Sequence, residues 1–363
     1  MQLSGLWLTD FRCYHEAELR LTPGVTVICG ANAQGKTSLL EAVSWAATGA
    51  SFRGVPDTAL VRTGCESAIV RAESVDGPRV QLLEAEIRVT GRNRVRINQQ
   101  TLRRVEDRAE FVRVTVFAPD DLQLVKGGPG CRRAYLDDLL VSVAPRYVAV
   151  RADYERVLRQ RNALLRRGVR TNDDTTTLDV FDVQLARAGA ALTTGRMRML
   201  ERLTPLVAQC YHELAGDAAV DATYEAAWLG ESSDDPERLL LGALGERRRA
   251  ELERGITLTG PHRDEWRLRI ADLDSRSHAS QGEQRTIALA LRVAGHRLCT
   301  DILGTPPVLL LDDVFSELDE HRADALLAHL DATQTLVTTA GPVPAGLHAE
   351  QLLRVDEGTL AAA

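Results

Sequence analysis

The chain has 363 residues, enough for a large core and two lobes, and its 44% hydrophobic and 26% charged composition is that of a soluble globular protein. Six cysteines lie scattered without a C-x-x-C pair, which argues against a zinc site or a disulfide framework and fits a reducing cytosol. The net charge of −7 speaks against an all-over basic coat for nucleic acid, and the lack of a leader pattern or an apolar run of membrane length predicts a cytoplasmic protein.

Residues 1 to about 120 read as short strands and turns around one helix. GLWLTDF, GVTVICG, SAIVRAES, VQLLEAEIRV, NRVRINQQ and FVRVTVF are the strand candidates, split by Gly, Pro and Asp. After GVTVICG comes GANAQGKTSLLEA, in which Gly30, Gly35, Lys36 and Thr37 fit G-x-x-x-x-G-K-[ST]. The glycines let the backbone of Gly30, Ala31, Asn32, Ala33, Gln34 and Gly35 curl so that N–H groups face an anion. The helix that begins around Lys36, Thr37 and Ser38 adds the positive end of its dipole. In such a loop Lys36 reaches the β- and γ-phosphates of ATP and the Thr37 hydroxyl coordinates Mg²⁺.

From about Arg132 the texture turns helical. RRAYLDDLLVSVAPRYVAVRADYERVLRQRNALLRRG has i, i+3, i+4 apolar spacing, reset near Pro145, and VRTNDDTTT is a polar turn suited to cap the next helix. LDVFDVQLARAGAALTTGRMRMLERL then runs toward Pro205 and resumes as LVAQCYHELA. The expectation is an antiparallel pair of about 30 residues each, about 45 Å long, a stub rather than a coiled-coil arm. Between Arg146 and Arg170 stand eight arginines against Asp153 and Glu155. Such a run is ordinarily a solvated helical face, and it also suits a phosphate backbone. In ESSDDPERLL, Asp234 or Asp235 with Pro236 starts another helix, and strand character returns at GITLTG and EWRLRIADL.

Near the end, PPVLLLDDVFSELD places the apolar run Val308–Leu311 before Asp312 and Asp313. A run of this kind reads as a strand buried on both faces of a parallel sheet, with the two carboxylates at its C-terminal edge, where ligands bind. Adjacent carboxylates repel, so a cation or proton must compensate. The natural roles are Asp312 on Mg²⁺ and Asp313 polarising an attacking water. Upstream, SQGEQRT leads into a helix with Ser280 as N-cap, Gly282 open to close approach and Arg285 in the first turn. One triphosphate does not need two anion-receiving helix ends in one chain; two copies arranged head to tail do.

Together these residues resemble ABC-type ATPases, in the group that contains structural-maintenance-of-chromosomes proteins and their DNA-repair relatives. LTDFRCY, SFRGVPDTALVRTG, APDDLQLVKGGPGCRRAYLD, TGPHRDEW, SQGEQRT and LLLDDVFSELD narrow the resemblance to the RecF family over residues 6 to 319. The resemblance implies an α/β fold: an ABC-type P-loop head with a mixed-sheet core and a short helical second lobe. Its expected parts are residues 1–130 with the Walker A loop, a helical lobe over 131–255, and a return over 256–363 with signature, Walker B and D-loop. Lys36 and Thr37 then match the Walker A pair, Asp312 the Walker B ligand, Ser280 and Gly282 the signature acting across a dimer, and Asp319 the D-loop aspartate. The family also implies an ATP-dependent homodimer, gapped or double-stranded DNA as partner, slow hydrolysis, and cooperation with RecR and RecO to load RecA.

Three departures from that pattern stand out. Asp313 replaces the usual Glu, Thr338 or Thr339 stands where a histidine is usual, and the Q-loop glutamine has only Asp120, Asp121 or Gln123 as candidates. All three point to slow turnover, and they leave a nucleotide-gated scaffold as the alternative to a hydrolysing switch. A transporter motor or a small-molecule kinase fits the signature and its spacing poorly. With the family admitted, Arg159, Arg161, Arg166 and Arg167 become DNA candidates. Arg12 and Arg53 are divided between phosphate contact and stacking on Phe11 or Phe52, Arg132 and Arg133 are candidates to face a second subunit, and His262, Arg263 and Asp264 are expected to be structural.

Overall fold

The computed structural model describes residues 1–102, 108, 111–216, 219–230, 235–329, 332–343, 346–356 and 358–362. These residues form two compact units, one of Met1–Asp121, Cys210–Gly216 and Ala288–Ala363, the other of Leu122–Gln209 and Asp217–Ile287. In chain order the first unit begins with β1 (Gln2–Phe11), β2 (Tyr14–Arg20), β3 (Gly24–Cys29), α1 (Lys36–Thr48), β4 (Ser67–Asp76), β5 (Arg79–Arg88), β6 (Arg94–Ile97), β7 (Gln100–Thr101) and β8 (Val114–Phe117). The second unit follows with α2 (Gln123–Lys126), α3 (Pro129–Val143), α4 (Tyr147–Arg167), α5 (Asn172–Ala215), β9 (Val220–Glu225), α6 (Pro236–Arg254), β10 (Glu265–Ile270), β11 (Leu273–Asp274) and α7 (Ser275–His278). Helix α8 (Gln281–Leu303) leads back to β12 (Val308–Asp312), α9 (Glu320–His329), β13 (Gln334–Thr339), β14 (Gln351–Asp356) and β15 (Thr359–Ala362).

The first unit holds two six-stranded sheets. One is an antiparallel meander in the order β2-β1-β4-β5-β6-β7; the other, β15-β14-β3-β13-β12-β8, is parallel except for its β15 edge. The central strands β12 and β13 are buried at every position, which is why apolar residues and threonines follow one another in them without polar alternation, between Gln334 at the start of β13 and Asp312 at the end of β12. Strands β4 and β5 alternate, with Ala68, Val70, Ala72, Leu83, Ala85 and Ile87 turned to one core with α1. Trp45 of α1 fills that core at 1% exposure, and the buried Gln334 amide links the sheets by bonding Leu3 N and O at 2.8 and 2.7 Å.

In the second unit, helices α3 to α6 accompany a small antiparallel sheet, β11-β10-β9. Its interior contains charge. Arg161, fully buried, donates to Asp182 (2.7 Å), Glu251 (2.6 Å) and the Thr257 hydroxyl (2.8 Å). Arg196 forks onto Asp137 at 2.7 and 2.8 Å.

Every anticipated strand of the first 120 residues forms. The helical pair is unequal, with 21 residues in α4 and 44 in α5. Pro205 does not end α5, because Leu203, Val207, Cys210, Tyr211 and Leu214 are buried on both sides of it and packing outweighs one missing hydrogen bond. GITLTG is not a strand. Its backbone donors are taken by side chains, Thr257 N by Asn162 Oδ1 and Leu258 N by Glu251 Oε1 at 2.8 and 2.7 Å, so no ladder can form there. The unit boundaries also differ from the expected 131 and 256: the division falls after Asp121, and residues 256–287 belong with the helical unit.

Candidate nucleotide site and signature segment

Strand β3 ends at Cys29 and the chain turns at once into the loop of residues 30–35. Gly30 has φ 158°, and a side chain there would start 2.3 Å from the Val355 carbonyl oxygen. Gly35 has φ 107° and is backed by Cys13 Sγ and the Tyr14 hydroxyl, 2.6 and 2.8 Å from where a Cβ would lie. Both positions therefore demand glycine. The Tyr14 hydroxyl donates to the Gly35 carbonyl at 3.1 Å, so β2 steadies the loop from behind. Helix α1 starts with Gly35 as a cap that offers no side chain, leaving its first N–H groups for a ligand. Lys36 bends over the loop, its ammonium donating to the carbonyls of Gly30 and Ala31 at 2.8 and 2.7 Å.

The parallel sheet brings β12 to the same place. Thr37 Oγ1 donates to Asp312 Oδ1 at 2.8 Å across 275 residues of chain. Thr338, at the end of β13, donates to the same oxygen at 2.8 Å and accepts from the Asp313 N–H at 3.0 Å. Asp313 takes φ 51°, a left-handed conformation uncommon for a residue with a side chain, and its Oδ1 is buried without a hydrogen-bond partner. Burial raises the Asp312 pKa; the hydroxyls of Thr338 and Thr37 oppose that, and the neighbouring Asp313 charge adds to it. Arg53, exposed, contributes a compensating positive charge. A buried carboxylate next to a half-buried one with an orphaned oxygen is a site that draws a cation or a polarised water. Among the described residues no cluster of three His, Cys, Asp or Glu could ligate a metal alone. One hydroxyl and one carboxylate do fit Mg²⁺, which takes most of its ligands from water and phosphate oxygens.

The other named residues divide. Arg12 is committed to structure, forking onto the fully buried Glu41 at 2.7 and 2.6 Å and donating to the Ala59 carbonyl. Asp319 caps α9, accepting from Arg322 N at 2.9 Å and pairing with the Arg322 guanidinium. Asp121 accepts from Ala118 N at 2.9 Å and from Arg292 at 2.5 Å, which occupies one Q-loop candidate. In the second unit, Ser280 and Glu283 form a reciprocal capping box: Ser280 N donates to Glu283 Oε2 at 2.7 Å, and Glu283 N to Ser280 Oγ at 3.3 Å. The Ser280 N–H also holds the Glu283 carboxyl below its usual range. Ser280 is exposed, so the cap presents the N-terminus of α8 to solvent.

Several expectations are corrected. Arg161 has no exposed surface and is saturated by Asp182, Glu251 and Thr257, so it cannot touch DNA. Arg132 and Arg133 serve their own chain: Arg132 pairs with Glu265 at 3.0 Å and bonds the Leu124 and Gly127 carbonyls, while Arg133 bonds the Asp264 carbonyl at 2.7 Å. TGPHRDEW is the structural hub that was expected. Asp264, 3% exposed, accepts from Tyr224, Trp228 and Thr193, and His262 lies 2.6 Å from the Tyr154 hydroxyl. The supporting roles of Tyr14 and Glu41 were not foreseen. Tyr14 lies in a strand whose sequence, YHEAELR, carries no β-branched signal.

The family model described as "RecF/RecN/SMC N terminal domain" matches residues 2–355. "DNA replication and repair protein RecF" of Streptomyces avermitilis is 45% identical over 373 residues, covering 99% of both chains. The chain belongs to the RecF family. RecF of Acidothermus cellulolyticus is 44% identical over 95% of both chains. Among solved structures, a "recombination mediator protein RecF-ATP in RecFOR pathway" superposes with TM-score 0.91 at 28% identity, over 99% of this chain and 97% of that one. An Smc head domain from Pyrococcus furiosus shares the fold alone, with TM-score 0.58 at 15% identity. The RecF-family chain thus has the ATPase-head fold, and no helix among its described residues is long and apolar enough to cross a membrane.

Proposed function

We propose that this RecF-family chain is an ATP-dependent DNA-binding protein of recombinational gap repair, a switch that dimerises head to tail when ATP is bound. The observation that carries the reading is the junction of Thr37, Asp312 and Thr338 on one carboxylate oxygen, beside the glycine-cradled Lys36. The loop amides and Lys36 would hold the β- and γ-phosphates, and Thr37 with Asp312 would hold Mg²⁺, which neutralises charge on the phosphate oxygens. Asp313, with an oxygen left unbonded in the interior, would orient the attacking water. The capped and exposed start of α8, with Ser280 and Gly282, would close on the γ-phosphate held by a second copy. ATP favours that dimer only in so far as it binds the closed state more tightly.

The resemblance supplies the rest of the reading. The dimer binds gapped or double-stranded DNA without sequence preference, hydrolyses ATP slowly, and works with RecR and RecO to load RecA. The test is the oligomeric state of wild type and Ser280→Arg with ATP, with ADP and without nucleotide, in the presence and absence of gapped DNA. The expected result is a wild type that dimerises only with ATP and a variant that stays monomeric. A wild type indifferent to ATP, or a variant that dimerises, overturns the mechanism.

A second reading is favoured by the Asp313 geometry. Its carboxylate is one methylene shorter than the usual glutamate, and Thr338 occupies the neighbouring backbone donor. A nucleotide-gated scaffold with incidental turnover would retain repair function in Asp313→Asn and lose it in Lys36→Ala; a hydrolysing switch loses it in both.

A further inference from the structure

The arginines on the helical arm, the first place to look for a DNA surface, are largely neutralised by their own neighbours. Arg151 pairs with Asp138 and Glu155, Arg156 with Asp153, Arg159 with Glu155, and Arg167 with Asp174. A different part of the molecule concentrates arginines around fewer carboxylates than it has guanidiniums. Between Glu86 and Glu106 the sequence contains no acidic residue, and Arg88, Arg92, Arg94 and Arg96 fall within nine positions.

The fold turns that run into a surface. Strand β6 alternates, with Val95 and Ile97 packed against the core of the first unit and Arg94 and Arg96 exposed on the opposite face. Residues on one face of a strand stand about 7 Å apart. Arg94 and Arg96 lie opposite Glu86 and Glu84 on β5, and Arg71 on β4 pairs with Glu84 at 3.2 Å. Arg88 pairs with Glu86 at 2.8 Å, and Arg94 approaches the same carboxylate at 3.8 Å. Four guanidiniums, of Arg71, Arg88, Arg94 and Arg96, thus face two carboxylates, and neither Arg96 nor Arg92 in the adjoining turn makes an ion pair among the described residues. The hydrogen bond from Arg88, helped by the charges of Arg88, Arg94 and Arg96, holds Glu86 below the usual carboxylate range.

The turns that present these arginines are fixed in advance. Asn93 accepts from Arg88 N at 3.0 Å and donates to Asp57 Oδ2 at 2.6 Å; Asn98 accepts from Leu82 N at 2.8 Å. A set of guanidiniums on a pinned strand at a sheet edge binds a regularly charged polymer with little ordering cost. Duplex DNA carries one negative charge per about 1.7 Å of its axis.

We propose that the outer face of the β5–β6 hairpin, centred on Arg92, Arg94 and Arg96, is the surface that contacts the phosphodiester backbone of double-stranded DNA. The proposal rests on the DNA-binding reading above and says where that binding occurs. Contacts of this type are salt-sensitive and indifferent to sequence.

The experiment measures the Kd of the full chain with ATP for a fluorescent gapped duplex between about 50 and 300 mM salt. It compares wild type, Arg92→Gln/Arg94→Gln/Arg96→Gln, the arm variant Arg159→Gln/Arg166→Gln/Arg167→Gln, and Glu86→Gln. The hairpin variant is expected to bind at least about tenfold more weakly, and its log–log salt slope to flatten by about 2 to 3. Its ATP affinity should be unchanged, and the arm variant should stay within about twofold of wild type. Glu86→Gln should bind about two- to fivefold more tightly with a steeper slope, an outcome that damaged folding cannot imitate. A hairpin variant that binds like wild type, or a loss confined to the arm variant, overturns the assignment. A wild type that does not bind DNA removes the underlying reading as well, and that outcome is distinct from the other two.

Discussion

At the scale of single residues, buried polar side chains explain most of what the composition could not. His262 is held neutral because burial disfavours the imidazolium, and its pKa falls to about 4. The Tyr154 hydroxyl lies on one ring nitrogen at 2.6 Å and the Thr257 carbonyl on the other at 3.2 Å, so one nitrogen accepts and one donates. The unfolded chain takes up a proton near the ordinary histidine value of 6.5, while the native state resists it down to about 4. Between those values the unfolded state binds more protons, so stability must fall as pH falls, by about 3 kcal/mol over the window. Urea unfolding at pH 7 and pH 4.5 should show this slope in wild type and a shallower one in His262→Gln. Arg161 offers a sharper test. Its removal leaves Glu251 in the interior without a cation and Asp182 with Arg248 alone, and Arg161→Met is expected to cost about 3–5 kcal/mol in the same assay.

At the scale of elements, the two helix starts differ. Helix α1 is capped only by Gly35, with no side-chain hydrogen bond, whereas α8 closes its own first turn with Ser280 and Glu283. Glu283→Ala removes half of that box and should lower stability by about 1 kcal/mol, read as a shift in denaturation midpoint. Both helix starts were legible in the sequence because a capping box and a phosphate loop are local patterns. Strand β12 was equally legible as an apolar run. What stayed hidden was pairing over distance. Nothing in the spacing announces that Arg161 meets Glu251, 90 residues on, or that Asn162 consumes the backbone of GITLTG and prevents a strand. Basic residues on α4 therefore looked free when most were paired. The arginines of β6 were passed over because their alternation with Val95 and Ile97 reads first as a strand and only then as a charged face.

At the scale of the whole molecule, the chain crosses between its two units several times, once inside α5 and once inside α8. Contiguous boundaries such as 131 and 256 cannot follow that path in full, because the chain returns to each unit more than once. Lys36, Thr37, Asp312, Asp313 and Thr338 converge within the first unit, while Ser280 and Glu283 belong to the second. The knot of Arg161, Asp182, Glu251 and Thr257 has a consequence for how such a sequence can drift. Each member balances the others in a place water does not reach, so a lineage that loses one charge first must pass through a chain close to unfolding. Across descendants the four positions should be inherited as a set, either kept together or replaced together by apolar residues of matching volume.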